Sequence, residues 1–392
     1  MTFKTGSARV AARLLAVSCA ALLSMASAAK AYFPPPGSWQ EAEPASQGFD
    51  AAKLRAAVQY AQDHEFPAPR DLRVMNLQRY RDEPGYRMQG PMKDRPGPTG
   101  LIIRHGYVVA SWGEPQRVDM TFSVTKSYLS TVAGVAYDDG LLPDLRARVA
   151  DVVWDGTFDG EHNGRISWHQ LLNQSSDWRG ELFGLYDWMD RPPAGMSLDD
   201  MRAQPLHEPG SYFKYNDVRV NVAAYALLQL LHKPLPAVLR ERIMNPIGAS
   251  QTWRWYGFDN SQVEVDGQMM VSVTGGGHFG GGMFVSAYDQ ARFGLLFLNN
   301  GLWDGRRVLS QRWIDLATTP SEAKPDYGYM WWLNKGPGAW PGLPANLFFA
   351  DGVGGNYIVV DREHDLLIVT RWMDEDRAIL GRLIGLVLDA LK

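Results

Sequence analysis

The chain has 392 residues, with 39 Lys and Arg against 43 Asp and Glu, for a formal charge of −4. Its hydrophobic and charged fractions are those of an ordinary globular protein, and Cys19 is its single cysteine. A disordered tail, a collagen-like fibre and a disulfide scaffold are therefore excluded, and the slight negative charge offers nucleic acid no general attraction.

The chain opens with an address. Lys4, Arg9 and Arg13 precede an apolar run from Leu14 to Ala26, and small residues follow at Ser27, Ala28, Ala29 and Ala31. That order reads as a secretory signal peptide over residues 1–31, with cut sites after Ala28 or Ala31. The run is shorter than the roughly 20 residues a spanning helix needs, so cleavage is expected rather than a stable membrane anchor. Losing residues 1–31 removes four positive charges and moves the formal charge from −4 to −8. The expected location is outside the cytoplasm, periplasmic or secreted.

Residues 32–98 read as a lead-in. An extended Pro/Gly-rich stretch is followed by a helix over 50–64, capped by Asp50. Six prolines and many charges in 66–98 predict a long surface excursion. TGLIIRHGYVVASWG then gives two β-rich runs joined at His105–Gly106, a hairpin signal. A helix is predicted over 122–137, with Thr121 as its cap. Further helical segments are expected at 168–173, 218–231, 235–244, 286–299 and 310–318. Strand-like runs come at 327–333, 355–361 and 366–372, and a helix at 376–391 closes the chain. Strands thus cluster at both ends. The simplest packing is one antiparallel α/β sheet of N- and C-terminal strands flanked by helices, with a mainly helical lobe inserted at about 138–285. The catalytic domain would run over 99–392, with its site in the cleft between sheet and lobe.

The strongest chemical signal is SVTK at 123–126. Ser123 and Lys126 are three apart, so they share a helix face. A lysine on a mostly buried helix loses part of its preference for the charged form, and a neutral amine one turn from a hydroxyl can take its proton. YND at 215–217 places Tyr215, a possible proton carrier, just before a helix that Asn216 or Asp217 could cap. DGVGGNYIVVD at 351–361 sets glycines before a strand, where substrate can approach the backbone and an N–H can face an oxyanion.

Other patterns are discounted. GGGHFG at 275–280 fits G-x-G-x-x-G, but strand-like MFVS follows it where a dinucleotide site needs a helix. His278 could touch substrate or simply hold a Gly-rich turn. DGTFDGEHNGRI at 155–166 ends in Ile166 where a calcium loop needs Glu. No histidine cluster has metal-ligand spacing, so neither metal nor cofactor is expected.

Taken in order, TFSVTKSYLSTVAGVAYDDGLLPD, HQLLNQSSDW at 169–178, YND and GGGHFGGGMFVSAYDQARFG at 275–294 resemble the serine β-lactamase and penicillin-binding-protein superfamily. The resemblance is greatest to class C β-lactamases, class VIII carboxylesterases and 6-aminohexanoate-dimer hydrolases, and it runs from about residue 98 to the end. It implies a β-lactamase/transpeptidase-like fold, with Ser123 as acylated nucleophile, Lys126 as its base and Tyr215 as proton shuttle. Gly352 matches the glycine of the K-T-G strand motif, and the N–H groups of Ser123 and Val353 would form the oxyanion hole. Asp217 stands where the family often has Asn. The K-T-G lysine is replaced by Ala350, followed by Asp351, which would repel an anion. The resemblance therefore implies a small neutral ester or amide as substrate. A β-lactamase, a D-Ala peptidase, an acyltransferase and a silent cell-wall binding protein remain as alternatives, and the oligomeric state stays open.

Overall fold

Strand register follows from alternation of side chains about the two ends of the chain. A computed structural model of the protein describes residues 32–392, so the leader, both cut sites and Cys19 lie outside the described residues. The main sheet has six strands, in the order Trp332–Leu333, Phe348–Gly352, Asn356–Asp361, Leu366–Arg371, Thr99–Arg104, Tyr107–Trp112. All neighbours are antiparallel, with Ile102 opposite Ile368 and Ile368 opposite Val359. The early hairpin and the late strands thus join in one sheet, as expected. Its tight turn needs two left-handed residues, and His105 (φ 52°) and Gly106 (φ 83°) supply them.

Each face of the sheet buries alternate side chains. Ile102, Val109, Phe349, Val359 and Ile368 pack under helices Ala51–Asp63 and Arg377–Asp389. Asp50 caps the first of these, its Oδ1 accepting from Ala52 and Lys53 N–H. Leu101, Ile103, Ile358, Leu367 and Val369 face the opposite way into the large core. Helix Ala287–Leu298 lies on that side, and at Gly294 it comes so close that an added Cβ would stand 2.5 Å from Leu367.

Three expectations need correction. Residues 66–98 are not only a surface excursion. They hold the helix Leu72–Tyr80, capped by Asp71, with Leu72, Met75, Asn76 and Tyr80 buried. Arg73, Arg79 and Arg81 occupy its outer side and mask a short amphipathic pattern. The inserted lobe is helical only in part. Arg254–Val265, Gln268–Val273 and Gly282–Val285 join Asp119–Met120 in a second antiparallel sheet. Finally, 327–331 is turn rather than strand, with Met330 left-handed; Tyr327 makes one isolated bridge to Trp332, and Trp332–Leu333 alone joins the sheet. Tyr327, Tyr329 and Trp331 there are core residues.

Candidate active site

The approach to Ser123 is a bent entry into a buried helix. Met120 pairs with Phe284 in the second sheet, and Thr121 N–H donates to the Met283 carbonyl at 2.9 Å. Thr121 does not cap the helix through its side chain. Its Oγ1 instead accepts from Gln290 Nε2 at 2.5 Å. Phe122 is buried with a left-handed backbone (φ 48°), a conformation that costs an aromatic residue about 1–3 kcal/mol. Its side chain is held in an apolar cluster with Phe66, Leu72, Met75, Met92 and Trp372. A 3-10 turn over Phe122–Val124 then runs into helix Thr125–Asp138. From Asp119 to Ala136, Ser123 is the one residue that is not fully buried.

Lys126 is 1% exposed. Its Nζ donates to Ser123 Oγ at 2.9 Å and to Asp217 Oδ1 at 2.7 Å. Asp217 comes from the start of helix Asp217–Leu231, whose cap is Asn216, its Oδ1 accepting from Arg219 N–H at 2.9 Å. Gln174, in the 169–178 segment, clamps the approach to that helix: its carbonyl accepts from Lys214 N–H and its Oε1 from Asn216 N–H. This fixes Tyr215 between them. The Tyr215 ring stacks with Trp332 at 5.9 Å, and Lys126 Nζ stands 4.8 Å from its centroid. The Ser123 side chain is near enough to the Tyr215 phenol to pull its pKa down. The structure therefore brings Ser123, Lys126, Tyr215 and Asp217 together.

Asp190 and Arg191, both absent from the sequence reading, complete the charge pattern around Asp217. Arg191 Nη1 lies 2.5 Å from Asp190 Oδ1 and 2.7 Å from Asp217 Oδ2, the latter an ion pair rather than an aligned hydrogen bond. Asp190 also accepts from Asp217 N–H. Burial opposes ionisation of Asp217, but Lys126, Arg191 and His278 more than offset it and hold its pKa well below the usual carboxylate range. For Lys126, burial is the largest influence and lowers the pKa; Asp217 opposes this and Arg191 adds to it. Burial, then Asp217, pushes Tyr215 up, while Ser123 and Arg191 pull it back. Of the three, the amine is the group whose proton burial loosens, while Asp217 holds it.

Glycines let the backbone close around these groups. A Cβ on Gly276 would fall 2.3 Å from Asp217 Oδ1 and 2.6 Å from Lys126 Nζ. One on Gly352 would fall 2.4 Å from the Thr121 carbonyl and 3.1 Å from Ser123 N. Gly352, the end of its strand, therefore abuts the nucleophile turn, and half-buried Val353 follows. Ala350 is buried in the large core and presents no charge. Burial pushes the carboxyl of Asp351 up to about 6, with Arg377, at 3.3 Å, opposing.

His278 does not face the open site. It is 3% exposed, pairs through Nε2 with Glu83 Oε2 at 2.6 Å, and packs on Tyr80 at 3.9 Å. Glu83, Asp190 and His278 bring ligand-type atoms within 4.8 Å of one another, but these atoms engage each other and Arg191. The cavity beside Tyr215 measures about 260 Å³. A larger one of about 400 Å³, walled by Tyr137, Arg146, His169 and Glu322, contains none of Ser123, Lys126 or Tyr215, so size does not locate the site.

The comparisons with known proteins give a family and a fold. A 6-aminohexanoate-dimer hydrolase from Paenarthrobacter ureafaciens is 25% identical over 331 residues, covering 74% of this chain and 76% of the relative. A crystal structure of a family VIII carboxylesterase superposes with TM-score 0.56 at 18% identity, covering 90% of this chain and 99% of the other. A penicillin-binding-protein homologue from Caulobacter crescentus gives TM-score 0.57 at 17% identity, covering 88% and 99%. Those two show a shared fold. The Beta-lactamase family model matches residues 87–382, which includes Ser123, Lys126, Tyr215 and Gly352, and the chain accordingly belongs to the Beta-lactamase family.

Proposed function

We propose that the protein hydrolyses an ester or amide through an acyl-serine intermediate. The observation that carries this is the 2.9 Å hydrogen bond from a buried lysine amine to the one accessible side chain of its segment, Ser123. Ser123 Oγ attacks the carbonyl carbon and its proton passes to neutral Lys126 Nζ. The new ammonium forms 2.7 Å from Asp217, already ionised to receive it. The N–H groups of Ser123 and Val353 hold the oxyanion, a role favoured by the close seat of Gly352 on the nucleophile turn. The proton then moves from Lys126 through Tyr215 to the departing oxygen or nitrogen, breaking its bond to the carbonyl carbon. Water attacks the acyl-enzyme by the reverse proton path and frees Ser123.

The relatives support the bond type, one being named for amide hydrolysis and another for carboxylic esters. Ala350 carries no charge and the Arg377 cation beside that strand is already paired with Asp351 at 3.3 Å, which favours a substrate without a carboxylate on that side. Export is proposed on the leader alone, and N-terminal sequencing of the secreted or periplasmic form tests it.

The test is hydrolysis of short p-nitrophenyl esters by residues 32–392 beside Ser123→Ala, with a chromogenic cephalosporin in parallel. The expected result is ester turnover that falls at least about a thousandfold in the variant at unchanged circular dichroism. Full turnover in Ser123→Ala overturns the mechanism. Cephalosporin cleavage as fast as ester cleavage moves the substrate to β-lactams.

A further inference from the structure

The cavity beside Tyr215 has a charge left over. Its wall includes the carboxylates Asp177 and Asp187, and each is already within ion-pair distance of an arginine. Asp177 Oδ1 stands 2.7 Å from Arg219, and Asp187 Oδ2 stands 3.0 Å from the same guanidinium and 3.4 Å from Arg179. Arg191 is engaged by Asp190 and Asp217. Lys214 also lines the cavity, and among the described residues no carboxylate lies within 4.0 Å of its amine. Burial first, then Arg219, lower its pKa, and Asp190, Asp187 and Asp177 oppose this only from beyond ion-pair distance. The remaining wall is mixed, with Trp188, Met201 and Tyr212 beside the polar Gln204 and His207.

We infer that this cavity holds the leaving-group side of the substrate and that Lys214 recognises a carboxylate on it. Tyr215 lines the cavity and is the residue that hands a proton to the departing atom. No residue of the six-stranded sheet lines it, so Ala350 and Asp351 are not part of its wall. The anion site missing from the strand is thus supplied from another segment, one residue before the proton carrier. An aryl or short alkyl group bearing one carboxylate meets both the apolar part of the wall and the ammonium. A partly desolvated ammonium–carboxylate contact is worth about tenfold in affinity or more. The inference rests on the acyl-serine reading and refines its substrate.

The experiment compares 3-carboxyphenyl acetate with phenyl acetate, each kcat/KM divided by the ester's hydroxide hydrolysis rate. The native protein is expected to favour the carboxylated ester about tenfold, Lys214→Met to bring the ratio near one, and Lys214→Arg to keep most of the preference. A native ratio near one, or a preference that survives Lys214→Met, overturns the inference while Ser123-dependent turnover of phenyl acetate leaves the acyl-serine reading standing. If neither ester is cleaved, that reading fails and calorimetric binding of 3-hydroxybenzoate decides the pocket by itself. Binding about tenfold weaker in Lys214→Met supports it, and equal binding overturns it.

Discussion

Asp217 Oδ1 lies 2.7 Å from Lys126 Nζ, closer than the 2.9 Å between that nitrogen and Ser123 Oγ. The base of the site is therefore held more tightly by its counter-ion than by the group it activates. A carboxylate in that place stabilises the ammonium, so it raises the pH at which Lys126 becomes a base and stabilises the proton once Lys126 has taken it. Asp217→Asn should move the acidic limb of the kcat/KM profile to lower pH by about 1–3 units, because the opposite charge is gone while burial and Arg191 remain. A pH–rate series on one ester measures it, and an unmoved limb would mean that Asp217 does not set the protonation of Lys126.

Tyr215 is expected to matter in proportion to how badly the leaving group needs a proton. Burial keeps its phenol protonated, so it serves as an acid. Tyr215→Phe should reduce kcat on an alkyl ester or anilide by about 10²–10⁴, and on a p-nitrophenyl ester far less, since nitrophenolate departs unprotonated. Equal losses on both would assign Tyr215 to positioning alone.

Gly276 tests the packing rather than the chemistry. An alanine methyl there meets Asp217 Oδ1 and Lys126 Nζ well inside contact distance, and both side chains are buried. Gly276→Ala should part the pair and cost about a hundredfold in kcat. Steady-state kinetics beside a melting curve separates this from general loss of fold.

Asp351 links the cleft to pH-dependent stability. Its side chain is 24% exposed, yet burial pushes its pKa up from 3.8 to about 6. A raised pKa means that the folded state prefers the neutral acid. That contribution is complete below about 3.8 and is lost as pH rises through about 6. Asp351→Asn stays neutral throughout, so its Tm should exceed the native value by roughly 2 °C at about pH 8 and match it at about pH 4. Thermal melts across that range decide; a lower Tm for the variant at high pH would give the Arg377 ion pair the larger weight.

Local signals in the sequence were strong where one short segment determines one element. His105–Gly106 sets the hairpin because both turn positions need left-handed backbone. Ser123 and Lys126 are legible because one helical turn alone places them together. Tyr215 was legible only through motif order, since its seat depends on Gln174, some forty residues away. Asp190 and Arg191 left no signal: their partners are brought in by tertiary folding, and a charged pair in a Pro-rich loop looks like ordinary surface. Gly276 sat in a run read as part of the family resemblance and discounted as a nucleotide motif, and a signal for its own role would have required knowing which side chains it faces. Helix Leu72–Tyr80 and the long strand Arg254–Val265 were missed because polar residues interrupt their apolar periodicity. His278 was left open between a substrate contact and a structural place in a Gly-rich turn, and Glu83 and Tyr80 from the lead-in cover it.

The left-handed Phe122 gives that lead-in a wider meaning. The apolar side chains that keep Phe122 in place include Phe66, Leu72, Met75 and Met92, none of which belongs to the segment that carries the reactive groups. Residues 66–92 therefore share the fate of the nucleophile. Drift within them changes how firmly Ser123 is presented, and so changes rate without altering any group that meets substrate. In a directed-evolution library this stretch is a place to search for faster or slower enzymes, and between diverging homologues it is a route by which turnover can be retuned while the reacting residues stay the same.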